Sequence, residues 1–304
     1  GFKWFAPIIQ AKYPEMQTKV MNLPFLSIRK NLKKTITVLA KLFYDLRRSE
    51  LDVVIIRHNV ISSVFVLAIA KLKLIKIPFL VFAEFNTSQR NNSIFSKLKY
   101  FFYRHLLSAC DLILPFTETH AAYCRKQFKL SEDSVIAIPE AADYCTISQY
   151  PDSCCSASGN FILAVGRSGR DYLTFNKAIE GRTDKTIIVT SPHCTKNIQW
   201  SKNVNIYFDL PFDELMDVVA KSKYVVIPLI DSINPVGLRM LFYCMIRGKA
   251  CIITKTKTCA EYFQEEYGVK MVKPGDFKSL KSAMELLDLN FDKIKRLGKE
   301  GRGL

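Results

Sequence analysis

Short, almost continuously apolar runs alternate along the chain with longer stretches whose apolar residues recur every three or four positions. The runs are Lys19–Leu23, Asp52–Arg57, Phe79–Ala83, Leu112–Pro115, Val135–Ile138, Phe161–Val165, Thr186–Thr190, Val204–Phe208, Tyr224–Pro228, Cys251–Thr254 and Lys270–Val272. A strand covered on both faces reads this way, without polar alternation. The segments between them have helical period. In Ile28–Arg48 the apolar positions Ile28, Leu32, Ile36, Leu39, Phe43 and Leu46 fall on one stripe. Ile94–Ala109 and Phe277–Leu287 are further predicted helices. Repeated strand-then-helix order predicts an α/β protein with parallel sheets.

The chain has 304 residues, enough for two domains of about 150 residues each. One composition break agrees with that division. Gln149–Asn160 reads Q-Y-P-D-S-C-C-S-A-S-G-N, small and polar with Pro and Gly, which is linker chemistry. It divides the chain into 1–156 and 157–304. The longest apolar run, Val60–Ala70, falls well short of the roughly 20 residues a membrane-spanning helix needs. No secretory signal is visible. The chain opens on Gly1 and enters a helix-like stretch at once (Phe2–Gln10), so the start is expected to lie inside a domain.

Charge changes the picture more than composition does. Lys and Arg number 44 against 28 Asp and Glu, a net charge of +16 that predicts an anionic partner. The excess is larger before the linker than after it. Arg29, Lys30, Lys33, Lys34, Lys41, Arg47 and Arg48 crowd the polar side of the first long helix, with Asp45 against them. Lys97, Lys99 and Arg104 stand beside Tyr100, Phe102 and Tyr103 in Ile94–Ala109. Two readings stay open for these helices: contact with an anionic membrane surface, or a solvated face over a packed core. A nucleic-acid partner is not expected, because the basic residues gather around no reading motif. The nine cysteines form no C-x-x-C pair and no zinc-spaced set with His, so they are expected to be packing residues in a reducing compartment. Cys154 and Cys155, in the polar linker, are expected to be exposed.

Candidate chemistry sits after two strands of the second half. Phe161–Val165 runs into Gly166 and Arg167, then Gly169 and Arg170, before a helix near Tyr172. Gly166 lets backbone approach a ligand, and Arg167 and Arg170 offer forked donors suited to phosphate oxygens. Tyr224–Pro228 leads through a polar loop to a helix starting near Val236, Gly237 and Leu238 and stopping at Gly248. A helix N-terminus offers backbone N–H groups and the positive dipole end to an anion. If both loops share one sheet edge, they would grip a diphosphate there. Glu84 and His58, each at a strand end in the first half, are candidate cleft residues; local pairing of Glu84 with a Lys or Arg is the competing reading. His105, His120 and His193 are expected to be structural or surface residues.

The second half resembles the nucleotide-sugar-binding domain of family 4 (group 1) glycosyltransferases. The resemblance rests on G-R-S-x-R-D-Y at Gly166–Tyr172 and on Gly237-x-x-x-Leu241-x-x-Cys244-Met245-x-x-Gly248-Lys249. Ala260–Phe263 (A-E-Y-F) and Val272–Asp276 (V-K-P-G-D) follow in order. In the first half Ala109–Thr117, Ile138–Asp143 and Pro78–Glu84 are similar to family segments, more loosely. The resemblance implies a GT-B fold: two Rossmann-like domains with parallel sheets facing a cleft, the first domain's opening strand and glycine-rich loop expected ahead of Gly1.

It also implies transfer of a sugar, with retention, from a nucleoside-diphosphate donor to a saccharide or lipid-linked acceptor. No metal and no resident cofactor are expected, and the location implied is cytoplasmic, peripheral on the membrane's inner face. Ser191 and Pro192, after a strand, fall where the family meets the nucleoside. The family's two glutamates, eight residues apart, fall on Asn234–Pro235 and on Tyr243, and its active-site His falls on Glu84; none of these positions matches. The missing acids keep a second reading open, a nucleotide-sugar-binding relative without turnover.

Overall fold

A computed structural model describes residues 12–15, 17, 31–57, 61–87, 93–140, 159–263 and 267–303. The predicted helix Phe2–Gln10, the strand Lys19–Leu23, His58, Cys154, Cys155 and the 156/157 boundary lie outside the described residues. In chain order the first lobe runs α1 (Leu32–Arg48), β1 (Val53–Arg57), α2 (Ile61–Lys71), β2 (Phe79–Ala83), α3 (Ile94–Leu107), β3 (Leu112–Leu114) and α4 (Glu118–Phe128). The second lobe runs β4 (Ile162–Val165), α5 (Tyr172–Ala178), β5 (Thr186–Thr190), β6 (Val204–Phe208), α6 (Phe212–Lys221), β7 (Tyr224–Ile227) and α7 (Leu238–Ile246). It continues with β8 (Cys251–Thr254), α8 (Lys257–Ala260), β9 (Lys270–Val272), α9 (Phe277–Leu289) and α10 (Phe291–Gly303).

Each lobe holds one parallel sheet, ordered β1-β2-β3 in the first and β6-β5-β4-β7-β8-β9 in the second. Counted from its own first strand, the second sheet has the order 3-2-1-4-5-6 of the doubly wound dinucleotide fold. Its chain leaves β4 in one direction and returns at β7 to build the other half. A crevice therefore opens beyond the carboxyl ends of β4 and β7, where such sheets bind ligands.

Every residue of β4, β5, β7 and β8 is buried, which explains their unbroken apolar sequences. Leu163, Val165, Val225, Ile227 and Ile253 pack under Leu238, Leu241 and Met245 on one face. Ile162, Ala164, Val226 and Ile252 pack under Tyr172, Phe175, Met284 and Leu297 on the other. Side-chain caps start most helices as their polar residues predict: Asn31, Ser93, Thr117, Asp171, Thr256 and Asp276 each accept from an N–H three residues on.

Two sequence expectations need correction. Val135–Ile138 is not a strand; Val135 makes a single parallel bridge to Ile113, and Ile136 and Ile138 are exposed. In α1 the buried positions are Thr35, Leu42 and Leu46, while Leu32 and Ile36 of the apolar stripe face outward. The helix is turned so that part of its stripe misses the core. Of the cysteines, Cys124, Cys244, Cys251 and Cys259 are buried free thiols, as packing residues should be.

Specific polar contacts join the lobes. The Glu261 carboxylate accepts from the N–H groups of Glu118 (2.7 Å) and Thr119 (2.9 Å), so the second lobe supplies charge to the N-terminus of α4. The Tyr262 hydroxyl donates to the carbonyl of Phe116 and accepts from the N–H of Glu140, both at 2.6 Å. These residues belong to the A-E-Y-F segment, whose work here is docking.

Candidate functional site

The crevice predicted by the strand order is a cavity of about 500 Å³. Gly166, Arg167 and Arg170 from the β4–α5 loop line it, with Val236, Gly237, Arg239, Met240 and Tyr243 from the α7 end. Thr190, Asp209 and Phe212 close the side beyond β5 and β6. Three arginines against one aspartate give the lining an electropositive balance, and the volume lies in the range of small-molecule sites.

Glycine is required at the two loop positions that shape the cavity. Gly166 has φ of 115°, and a Cβ there would fall 2.0 Å from Nη2 of Arg170. Its carbonyl accepts from the hydroxyls of Tyr172 (2.6 Å) and Thr190 (2.9 Å), which hold the turn rigid. Burial pushes the Tyr172 phenol up to about 12, so it remains a donor. Gly237 has φ of 91°, and a Cβ there would press on Leu229 at 3.0 Å. As N-cap of α7 it brings no side chain to its own helix start, unlike the caps of α1, α3, α4 and α5. The N-terminal end of α7 is thus open to the cavity it borders.

The two arginines of the first loop do different things. Arg167 is 70% exposed and reaches Asp209 at 3.4 Å. Its fork is available to a ligand in the cavity. Arg170 folds back under Gly166: Nε donates to the carbonyl of Val165 (2.8 Å) and Nη1 to that of Ser168 (2.7 Å). Burial drives its pKa down. The expectation that Arg170 grips phosphate as an open fork is therefore corrected. It braces the loop, with two of its donor groups committed to backbone.

The remaining candidates divide. Val236 lines the cavity, but the Leu238 side chain is buried in the core and can offer only its backbone. Tyr243 lines the cavity and meets Phe212 edge to face at 5.0 Å. Ser191 is buried and donates to Asp209, while Pro192 is exposed and not part of the lining. Lys249 of the Gly-Lys motif is buried, its ammonium donating to the carbonyl of Ser222 at 2.9 Å. That residue ties β7 to β8 and does not reach the cavity.

Glu84 stands just past β2 with φ of 54°, in ion pairs with Arg57 and with Arg239 at 3.5 Å. Arg239 also receives Glu140, whose Oε1 accepts from Nε at 2.6 Å. Burial holds the Glu140 carboxyl above its ordinary range, against the pull of Arg239. The cleft is spanned by a chain of alternating charge, Arg57–Glu84–Arg239–Glu140. Local pairing, the competing reading of Glu84, is what the geometry displays.

Sequence reasoning missed Arg239 and Asp209. Both carried a readable signal: a cation in the first turn of an otherwise apolar helix, and an acid directly after the strand Val204–Phe208. Among the described residues, no group of three or more His, Cys, Asp or Glu is placed to hold a metal ion. No described helix is long and apolar enough to cross a membrane.

No protein-family model and no curated protein matches the chain. Solved structures do. A glycosyltransferase from Rickettsia africae ESF-5 is 15% identical, the match covering 93% of this chain and 79% of that one at a TM-score of 0.66. Sucrose-phosphate synthase from Thermosynechococcus elongatus is 15% identical, covering 93% and 75%, with a TM-score of 0.71. Anabaena HepE in complex with UDP-glucose is 11% identical, covering 90% and 78%, with a TM-score of 0.60. The chain has the GT-B fold. Its two parallel sheets, one per lobe, and the crevice at β4 and β7 are the parts of that fold that matter for the site.

Proposed function

We propose that this GT-B protein transfers a sugar from a nucleoside-diphosphate donor bound in the β4–β7 crevice to a saccharide or lipid-linked acceptor, with retention of anomeric configuration. One observation carries the reading. The exposed fork of Arg167 and the open N-terminal end of α7 at Gly237 border the same electropositive cavity at the switch point of the sheet. Departure of a nucleoside diphosphate builds negative charge on phosphate oxygens. Preorganised guanidinium and backbone N–H groups stabilise that charge where it develops.

The other cavity residues take parts that suit their chemistry. Arg239, at the α7 start, adds a third cation and is shared with Glu84 and Glu140 until a more highly charged phosphate competes for it. Asp209, the one carboxylate in the lining, is suited to a ribose diol, a part that the resemblance would have given to Tyr243. Tyr243 and Phe212 instead present an aromatic wall to the nucleobase. Glu84 is a positioning residue for Arg239.

Isothermal titration of UDP, GDP and ADP, followed by assay of sugar release from the corresponding donors, tests the reading. UDP comes first because HepE holds UDP-glucose in its own structure. Micromolar binding with sugar release supports transfer, and absence of binding to all three overturns it. The pairing of Glu84 with Arg57 and Arg239 favours a second reading, a donor-binding protein without turnover. Binding without release on any acceptor or water would select that one.

A further inference from the structure

Helix α3 has two apolar faces. Tyr100, Leu106 and Leu107 are buried against the first lobe, with Tyr103 partly covered. On the other side Ile94 is 74% exposed, Phe95 86%, Leu98 60%, Phe101 74% and Phe102 50%. At 100° per residue these five positions span an arc of about 120°, centred nearly opposite the buried one. Lys97 and Arg104 flank that arc on one side and Lys99 on the other, all exposed. No acidic residue occurs in the helix. Scattered apolar side chains on a surface call for no explanation, but five on one stripe with cationic margins do.

A second feature adjoins the C-terminal end of α3. The Lys71 ammonium donates to the Ser108 hydroxyl at 2.7 Å, bringing the turn after α2 beside the end of α3. That turn reads Lys71-Leu-Lys-Leu-Ile-Lys76, and it exposes Leu72 by 67% and Leu74 by 56%. Apolar residues set among lysines thus recur where the helix ends.

We propose that α3 and the Lys71–Lys76 turn form a docking surface for an anionic lipid bilayer. The aromatic stripe would enter the boundary between headgroups and acyl chains, and the flanking cations would meet lipid phosphates. Charge complementarity selects the occupant: a stripe bordered only by cations suits a phosphate-bearing surface and repels its own kind in a second copy of the chain. The surface lies on the first lobe and does not depend on the donor reading. It would hold the cleft near a lipid-linked acceptor if that reading stands.

Co-sedimentation of the full chain with vesicles of pure phosphatidylcholine and of phosphatidylcholine with 30 mol% (about a third) phosphatidylglycerol tests the proposal. Wild type should pellet with the anionic vesicles and not with the neutral ones. Lys97→Gln, Lys99→Gln and Arg104→Gln together should lower partitioning on the order of 100-fold, since each cation near the surface contributes about a factor of 5. Phe95→Ser with Phe101→Ser should lower it about tenfold or more. All five side chains are exposed, so the variants should keep the wild-type Tm and nucleotide binding. Equal recovery on both vesicle types, or anionic binding untouched by Phe95→Ser with Phe101→Ser, would overturn the proposal. So would a dimer in sedimentation equilibrium that this pair dissolves while wild type ignores vesicles.

Discussion

The two lobes are built to different specifications. In the second, four neighbouring strands are buried at every residue and helices cover both faces of the sheet. In the first, β1 alternates, with Val53 and Ile55 each 42% exposed, and helix α3 carries all three of its phenylalanines into solvent. The second lobe shapes its site with backbone, two positive-φ glycines, a helix start and a strand order, and sets Arg167, Asp209 and Arg239 on that frame. The first lobe brings charged side chains to the cleft and apolar ones to the surface. A backbone-built site is rigid and tolerates little; a side-chain surface can lose members singly.

The largest expected effect sharpens that contrast inside the β4–α5 loop. Arg167→Ala removes an exposed fork, and loss of one such donor from a developing charge costs on the order of 3 kcal/mol in the transition state. Turnover should fall about 100-fold or more with Tm unchanged. Arg170→Ala should do the reverse. It leaves the carbonyls of Val165 and Ser168 without their charged donor, which costs about 2–3 kcal/mol of stability. Steady-state kinetics and thermal melts on the pair decide it. Near-normal turnover in Arg167→Ala, or an unchanged melt in Arg170→Ala, would break the division of labour between these neighbours.

That division marks where sequence stops being legible. Strand runs such as Thr186–Thr190 and Cys251–Thr254 coincide with the observed strands residue for residue, because burial on both faces imposes the pattern. Gly166, Arg167, Val236 and Gly237 line one cavity, a placement that was readable because a strand end plus glycine constrains backbone directly. Arg170 was misread because nothing in G-R-S-G-R-D-Y says which guanidinium turns back under its own loop; the contact is made through space with Val165 and Ser168. Arg239 escaped notice for a similar reason, since its partners Glu84 and Glu140 lie in the other lobe. The apolar stripe of α1 was visible, but its rotation against the core depends on neighbours that no single helix encodes.

In the first lobe the next prediction concerns His120, a residue expected to be structural. It is fully buried, stacked with Phe85 at 6.3 Å, and neither ring nitrogen has a hydrogen-bond partner. Burial lowers its pKa from 6.5 to about 4. The unfolded chain therefore takes up a proton on this ring near pH 6.5, while the native state refuses it until about pH 4. Stability is unaffected well above 6.5 and falls with pH between the two values. From pH 7 to pH 5 the loss is about 2 kcal/mol. Denaturant titrations of wild type and His120→Phe at both pH values should differ by that amount in their pH dependence. Parallel curves would mean that the ring is protonated, or accessible, in the native state.

The smallest effect tests whether the lobes are energetically separable. Glu261 is exposed, yet its carboxylate meets two N–H groups at the start of α4 across the lobe boundary. Glu261→Ala should cost about 1 kcal/mol, the ordinary worth of a lost N-terminal cap. High salt should shrink that difference, because part of it is charge against a helix dipole. Nucleotide binding by the same variant should keep its wild-type Kd, since neither Glu261 nor α4 lines the β4–β7 cavity. Titration calorimetry beside the melts distinguishes the cases. A weakened Kd would show that docking of the first lobe shapes the β4–β7 cavity through the Arg239–Glu140 bridge, and the second lobe could then no longer be regarded as holding a site complete in itself.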